Sequence, residues 1–320
     1  MGRGYGMIAV ICCVMVLFAG CKYAPLDGLK SSAPNPQESA ASFPHERRAA
    51  LATDAWGGVR VDWTAVADWP VGDTPVAKSA REWIEKRMRF YSREPFKGDV
   101  ADWDAMTRFY GKQFLAGNGQ EDIERHWRRC DMEGVSPPPK APDVDPGVDV
   151  FLGADPRWFR HHSAIIAYED EHIVSYRSGF YGFFVGNATS AAYVKCATFR
   201  KPDGKILGWD AFVDTNAVFR LVRELAEAKF KEGADYAGVG VVPVPQTPLF
   251  TKDGIWCFWG DYAIVHGHAY ELNGAFPSLF IPWRDPTCGG LLPDKREAVE
   301  RLLTAEARSS LGLDKPKANR

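Results

Sequence analysis

The spacing of apolar residues changes once along this chain, and that change limits the folds open to it. Val76, Ala80, Trp83, Ile84, Met88 and Tyr91 recur every three or four positions, the period of one helix face. Thr74-Pro75 ahead of them reads as an N-cap followed by proline at the first helical position. Trp103, Met106, Tyr110 and Phe114 mark a second helix closed by Gly117, and Ile123, Trp127 and Cys130 a third closed near Gly134. The proline-rich stretch from Pro137 to Pro146 is a stiff connection, because proline fixes its own φ and donates no hydrogen bond.

Beyond it the pattern becomes that of strands. Residues 164–168, 173–185 and 191–200 are rich in β-branched and aromatic side chains. Glu169-Asp170-Glu171-His172 and Lys201-Pro202-Asp203-Gly204 separate them as turns. Val218, Phe219, Val222, Leu225 and Ala226 return to helical spacing, with Asn216 as the cap and Gly233 as the stop. Further strands are expected at 255–259, 263–268 and 279–282, and a last helix, opened by a capping box at Asp294 and Glu297, bears Val299, Leu302 and Leu303 and stops at Gly312. Ahead of all these elements, Val59, Val61 and Trp63 alternate with Arg60 and Asp62 as a half-buried strand. Early helices followed by strands predict an α+β fold: a helical lead-in, then a mostly antiparallel sheet with helices packed on it. The expected divisions are a signal peptide at 1–20, a flexible tether at 21–54, the helical lead-in at 55–146, the α+β domain at 147–313 and a tail at 314–320.

The N-terminus carries an address. One basic residue, Arg3, precedes an apolar run at 7–19 that ends Leu17-Phe18-Ala19-Gly20-Cys21. The run is short for a permanent membrane helix and fits a secretory signal. Small residues just before Cys21 resemble the cleavage site of a bacterial lipoprotein, in which that cysteine is acylated and becomes the new N-terminus. The lipid bilayer, reached through the Cys21 acyl chains, is then the first expected partner. Lys22 after the cysteine favours the outer membrane, with the domain facing the periplasm or the surface.

Cleavage after Gly20 removes only Arg3 among the charged residues and leaves 38 basic against 41 acidic. A chain so close to neutral lacks the electrostatic footprint of a nucleic-acid binder. Cys130, Cys196, Cys257 and Cys288 would remain besides Cys21. They suit either disulfides in an exported protein or small buried side chains, and none pairs as CxxC.

Few residues point to chemistry. The sequence has no nucleophile elbow, no HExxH, no P-loop and no dinucleotide-binding glycine pattern. His266 and His268, two apart on an expected strand, share a face as metal ligands can, but no third ligand stands nearby. Two polar residues on the wet face of a strand explain the pair as well. No catalytic residue and no cofactor is expected. Of the 11 tryptophans, Trp83, Trp103 and Trp127 lie on apolar helix faces. Trp256 and Trp259 have opposite parity in one strand, so one of them faces outward. Trp259, where the strand ends before Gly260-Asp261, is the expected exposed aromatic and the candidate binding residue.

Four stretches resemble the RsiV-type extracellular domain of lysozyme-sensing anti-sigma factors, a module also found in exported lipoproteins. They are Val174-Ser175-Tyr176 with the aromatic strand to Phe184, the hairpin at 199–210 with its Lys-Pro-Asp-Gly-Lys turn, Leu249-Phe250-Thr251-Lys252-Asp253-Gly254-Ile255, and Gly274 with Phe280-Ile281-Pro282-Trp283. Together they span about 160–300. Gly186-Asn187-Ala188-Thr189 stands where the family often has Gly-Gly-Ala-His, so the family's histidine is not carried over. The resemblance implies a non-catalytic domain that binds a lysozyme-like protein or peptidoglycan fragments. An envelope hydrolase with a metal-dependent site and a structural subunit of an envelope assembly are the alternatives.

Overall fold

In the computed structural model of the protein, the described residues are 42–56, 59–89, 92, 94–117, 157–183, 191–230, 242–259, 277–284 and 299–314. Strand β1 (His45–Trp56) and strand β2 (Val59–Pro70) form an antiparallel hairpin. Strand β2 then pairs in parallel with β3 (Arg157–Glu169). From β3 the sheet continues as an antiparallel meander through β4 (Ile173–Phe183), β5 (Ala191–Arg200) and the short β6 (Ile206–Leu207). The six strands stand in the order β1-β2-β3-β4-β5-β6.

Each face of this sheet carries its own core. Val61, Trp63, Ala65, Ala67 and Trp69 alternate along β2 and point to one side. Helices α1 (Pro75–Met88) and α2 (Trp103–Gly117) cover that side. Helix α1 begins where the sequence expects it, with the Thr74 hydroxyl accepting from the Ala77 N–H at 3.2 Å. Helix α2 ends at Gly117, also as expected, and comes so close to β1 that a Cβ on Gly111 would lie 2.6 Å from that of Ala52.

The neighbours Ile173 and Val174 belong to different cores, which marks the alternation of β4. Ile173 faces the second core, built by α3 (Thr215–Phe230) and a three-stranded antiparallel sheet of order β7-β8-β9. Its strands are β7 (Leu249–Phe250), β8 (Gly254–Phe258) and β9 (Ser278–Pro282). A 3-10 turn (Val299–Leu302) and helix α4 (Ala305–Ser310) close this layer. The two sheets are joined at β4 and β5, where the Ser175 hydroxyl donates to the Phe250 carbonyl at 2.7 Å and the Phe250 N–H donates to Thr198 Oγ1 at 2.9 Å.

The α+β class and the mostly antiparallel sheet are as expected. Several boundaries are not. Residues 45–54 belong to β1 and not to a tether: Ala50 and Ala52 pack against the first core, enough burial to order a segment whose composition reads as a linker. The lead-in is not wholly helical: the half-buried strand expected at 59–63 runs on to Pro70 as β2. The division at Pro146 separates stretches that share one sheet, since the partners Thr64 and His161 lie on its two sides. Helix α3 begins two residues earlier than the cap expected at Asn216 implies, because Asp214 provides the cap by accepting from the Ala217 N–H at 2.9 Å. Val299 and Leu302 lie in a 3-10 turn, and the α-helix starts only after the new cap at Thr304. Gly312 does end it, at φ +65°. The expected helix at 123–134, the strand at 263–268 and the box at Asp294 and Glu297 lie outside the described residues.

Candidate functional site

Strands β8 and β9 alternate sharply. Ile255, Cys257, Leu279 and Ile281 are buried in the second core, while Trp256, Phe258 and Phe280 point the other way and stay half-buried. The register places Trp256 directly opposite Phe280 and Phe258 opposite Ser278. The Trp256 and Phe280 ring centroids are 5.0 Å apart, and those of Trp256 and Phe258 are 6.0 Å apart and stacked. Gly254 makes room for this arrangement: a Cβ there would lie 2.7 Å from the Phe280 ring. The Arg177 guanidinium of β4 lies over Phe258, 5.6 Å from its centroid, and closes one end of the stripe with a positive charge. Phe258 also packs against the buried pair Tyr181 and Val194 of the larger sheet, which leaves the rings of Trp256 and Phe280 as the ones that can stack against the C–H faces of sugar rings or against apolar side chains.

Trp259 is not part of this surface. It is 3% exposed, its Nε1 donates to the Pro243 carbonyl at 2.7 Å, and its ring meets Phe230 of α3 edge-on at 6.0 Å. The expectation of an outward Trp259 is therefore corrected. The strand's alternation continues one residue past β8, where the Trp259 N–H still bonds the Pro277 carbonyl at 3.0 Å, so Trp259 keeps the inward parity of Ile255 and Cys257. The outward tryptophan of the pair is Trp256. Parity alone requires one of each, and the aromatics at Phe258 and Phe280 were the signal that could have chosen between them.

A second group of polar side chains is buried where β2 meets β3. The Thr64 hydroxyl and His161 Nδ1 are 2.9 Å apart, and Asp62 accepts the Thr53 hydroxyl at 2.7 Å. On the other face Arg160 lies over the Phe114 ring at 4.7 Å, and His162 packs between Trp63 and Phe180. Burial pushes His161 down to about 4 and His162 down to about 3, the latter helped by the charges of His161 and Arg160. Both imidazoles are neutral at physiological pH, and their surroundings are those of core residues.

His266, His268 and Cys21 lie outside the described residues. Among the described residues no group of three or more His, Cys, Asp or Glu is placed to hold a metal ion. Cys196 and Cys257 are buried free thiols; burial pushes Cys196 up to about 12 and Cys257 higher still. Cys130 and Cys288 lie outside the described residues.

No family model matches the sequence, and no curated protein matches it. Solved structures do resemble the fold. A member of the DUF3298 family from Bacteroides fragilis aligns over 78% of this chain and 98% of its own, at 14% identity and a TM-score of 0.53. A DUF3298 family protein from Pseudomonas aeruginosa aligns over 76% of this chain and 92% of its own, at 14% identity and a TM-score of 0.45. At this identity the first likeness establishes a shared α+β fold, that of a domain of unknown function, and no more.

Proposed function

We propose that the chain is a lipid-anchored envelope protein of the RsiV type whose folded part binds a ligand and does not catalyse. The observation that carries the binding reading is the pair of half-buried rings Trp256 and Phe280, held together on the face of the small sheet turned away from the second core and continued by Phe258. Rings left partly accessible side by side form the kind of contiguous apolar patch that marks a binding site. The stripe suits the glycan of a peptidoglycan fragment, whose sugar faces stack on aromatic rings. A lysozyme-like protein is the other ligand the resemblance suggests. Cys21 supports the anchor, by its place after Ala19-Gly20 at the end of the apolar run. Two acyl chains or more would hold the protein firmly where one would hold it weakly.

The test has two arms. Cells grown with labelled palmitate should yield a labelled protein, and the Cys21→Ser variant should yield none. The purified full-length protein should bind muropeptides or lysozyme in a titration, and Trp256→Ala with Phe280→Ala should weaken that binding about tenfold, each ring's stacking being worth about 0.5–1.5 kcal/mol. An acyl-free protein would overturn the anchor. Binding untouched by both substitutions would overturn the site, and turnover of either ligand would overturn the non-catalytic reading.

A further inference from the structure

Strand β1 stands at the edge of the six-stranded sheet and is 12 residues long. Among the described residues no strand pairs with its outer side. Long open edges are templates for strand pairing, and charges usually blunt them. Here the charges are segregated: Glu46, Arg47 and Arg48 stand in the first half, Asp54 in the second, and Ala49-Ala50-Leu51-Ala52 between.

The hydrogen bonds to β2 fix which groups point outward. The Val71 N–H donates to the Pro44 carbonyl at 3.0 Å, which makes positions 44 and 71 a bonded pair in a register that runs on as His45↔Pro70. Bonded pairs recur every second residue in an antiparallel ladder. The even positions of β1 therefore direct their N–H and C=O groups to β2, and Arg47, Ala49, Leu51, Thr53 and Ala55 direct theirs away from the sheet. An antiparallel partner must match odd positions with odd ones. For a second copy of β1, only pairings centred on a single residue satisfy this.

Charge selects among the central pairings. Centring on Ala50 brings Glu46 against Asp54 of the partner subunit, two like charges. Centring on Leu51 brings Arg48 against Asp54 of the partner subunit, twice by symmetry, with Ala50 against the partner's Ala52 between. Arg48 already meets Glu46 at 3.0 Å, and Asp54 has contacts of its own inside the chain, so the pairing extends existing polar neighbourhoods. We propose that β1 pairs with β1 of a second copy, antiparallel about Leu51, so that two six-stranded sheets become one continuous sheet across a two-fold axis. Such an interface is isologous: one self-complementary strand supplies both sides and forms about ten backbone hydrogen bonds. The ligand stripe of β8 and β9 lies in the other sheet, so the inference is independent of the proposed function.

The test uses the full-length protein in mild detergent. Sedimentation should show a concentration-dependent dimer. Arg48→Asp and Asp54→Arg should each weaken it about tenfold or more, since each places like charges opposite one another at two symmetric sites, and the double exchange should restore it. Because the double variant keeps the composition of β1, recovery separates pairing from folding. Leu51→Cys, at the axis, should form a disulfide-linked dimer under mild oxidation beyond the wild-type level, because facing bonded residues have Cα atoms about 5.5 Å apart. Ala49→Cys, which faces the partner's Thr53, should not. A monomer at every attainable concentration would mean the edge is bare or takes another strand, and would overturn the proposal. A dimer indifferent to the charge exchange, or one that cross-links equally at 49 and 51, would overturn it as well.

Discussion

The Tyr176 hydroxyl donates to the main-chain carbonyl of Asp68 at 2.8 Å, across a strand that stands between them. The parallel ladder of β2 and β3 ends at Ala67↔Ala164, and β3 bulges between Ile166 and Tyr168. Past that point two groups replace the ladder. The Asp68 carboxylate accepts the Ile166 N–H at 2.8 Å, and Tyr176 reaches from β4 to the Asp68 carbonyl. The hairpin that leads the chain and the meander that follows are thus tied where the regular pairing stops. Burial and the nearby carboxylates of Asp68 and Glu169 push the Tyr176 phenol well above its ordinary range, so it remains a donor at any physiological pH.

Tyr176→Phe should therefore destabilise the protein by about 1–2 kcal/mol, the cost of leaving a buried carbonyl without its donor. The ring would keep its place against Trp83 and Phe199, so packing is preserved. Urea denaturation followed by tryptophan fluorescence measures the shift in midpoint; an unchanged midpoint would show that water serves the carbonyl equally well.

This tie also marks the limit of what the sequence discloses. Helices α1 and α2 are legible, because Thr74-Pro75 and Gly117 are local signals acting on strongly periodic segments. The strands of the meander are legible for the same reason, with turns at Asp170 and Gly204 between them. The parallel pairing of β2 with β3 is not, since it joins positions such as Thr64 and His161 that share no local pattern. Strand β1 is obscured by alanines, which read as linker until a sheet edge gives them something to pack on. In the sequence, Gly260 suggests a strand end and points to Trp259 as the outward ring. The structure extends the alternation one residue further, and the register against Phe280 shows Trp256 to be the half-buried ring that faces away from the second core.

The two tryptophans should behave oppositely when truncated. Trp259→Ala removes a buried ring and its hydrogen bond to Pro243 and should cost about 3–5 kcal/mol. Trp256→Ala removes a half-buried ring from the sheet surface and should cost about 1 kcal/mol or less, while carrying the larger loss of ligand binding. Thermal melts beside ligand titrations of both variants check the division. Equal losses of stability would place Trp256 in the core.

Acid should weaken the fold through β3. His161 and His162 stay neutral in the folded state until about pH 4 and about pH 3, whereas in the unfolded chain they take up protons below about 6.5. Across that window the unfolded state binds more protons, so stability is complete above about pH 6.5 and falls as the pH drops towards these lower values. His162→Phe, a ring of similar size beside Trp63 and Phe180, should lessen the slope of stability against pH by about one proton between pH 6 and 4. Urea titrations at several pH values read that slope. A variant as pH-dependent as the parent would move the acid sensitivity away from His162.

Two glycines separate backbone strain from steric contact. Gly72 and Gly204 both have positive φ, +83° and +69°. Nothing lies within 4 Å of a Cβ built on Gly72, whereas one on Gly204 would stand 2.6 Å from the Pro75 carbonyl oxygen and 2.8 Å from the Ser79 hydroxyl. The turn between β5 and β6 is pressed onto the first turn of α1, so glycine at position 204 of the Lys-Pro-Asp-Gly-Lys segment is required on two counts, for its conformation and for its neighbour. Gly72→Ala should cost about 1–2 kcal/mol, the strain of a left-handed residue with a side chain. Gly204→Ala carries the same strain and must also displace backbone, so it should cost about 1–3 kcal/mol more. The difference between the two unfolding midpoints measures how firmly the meander is seated on α1; equal costs would mean the turn lifts away freely.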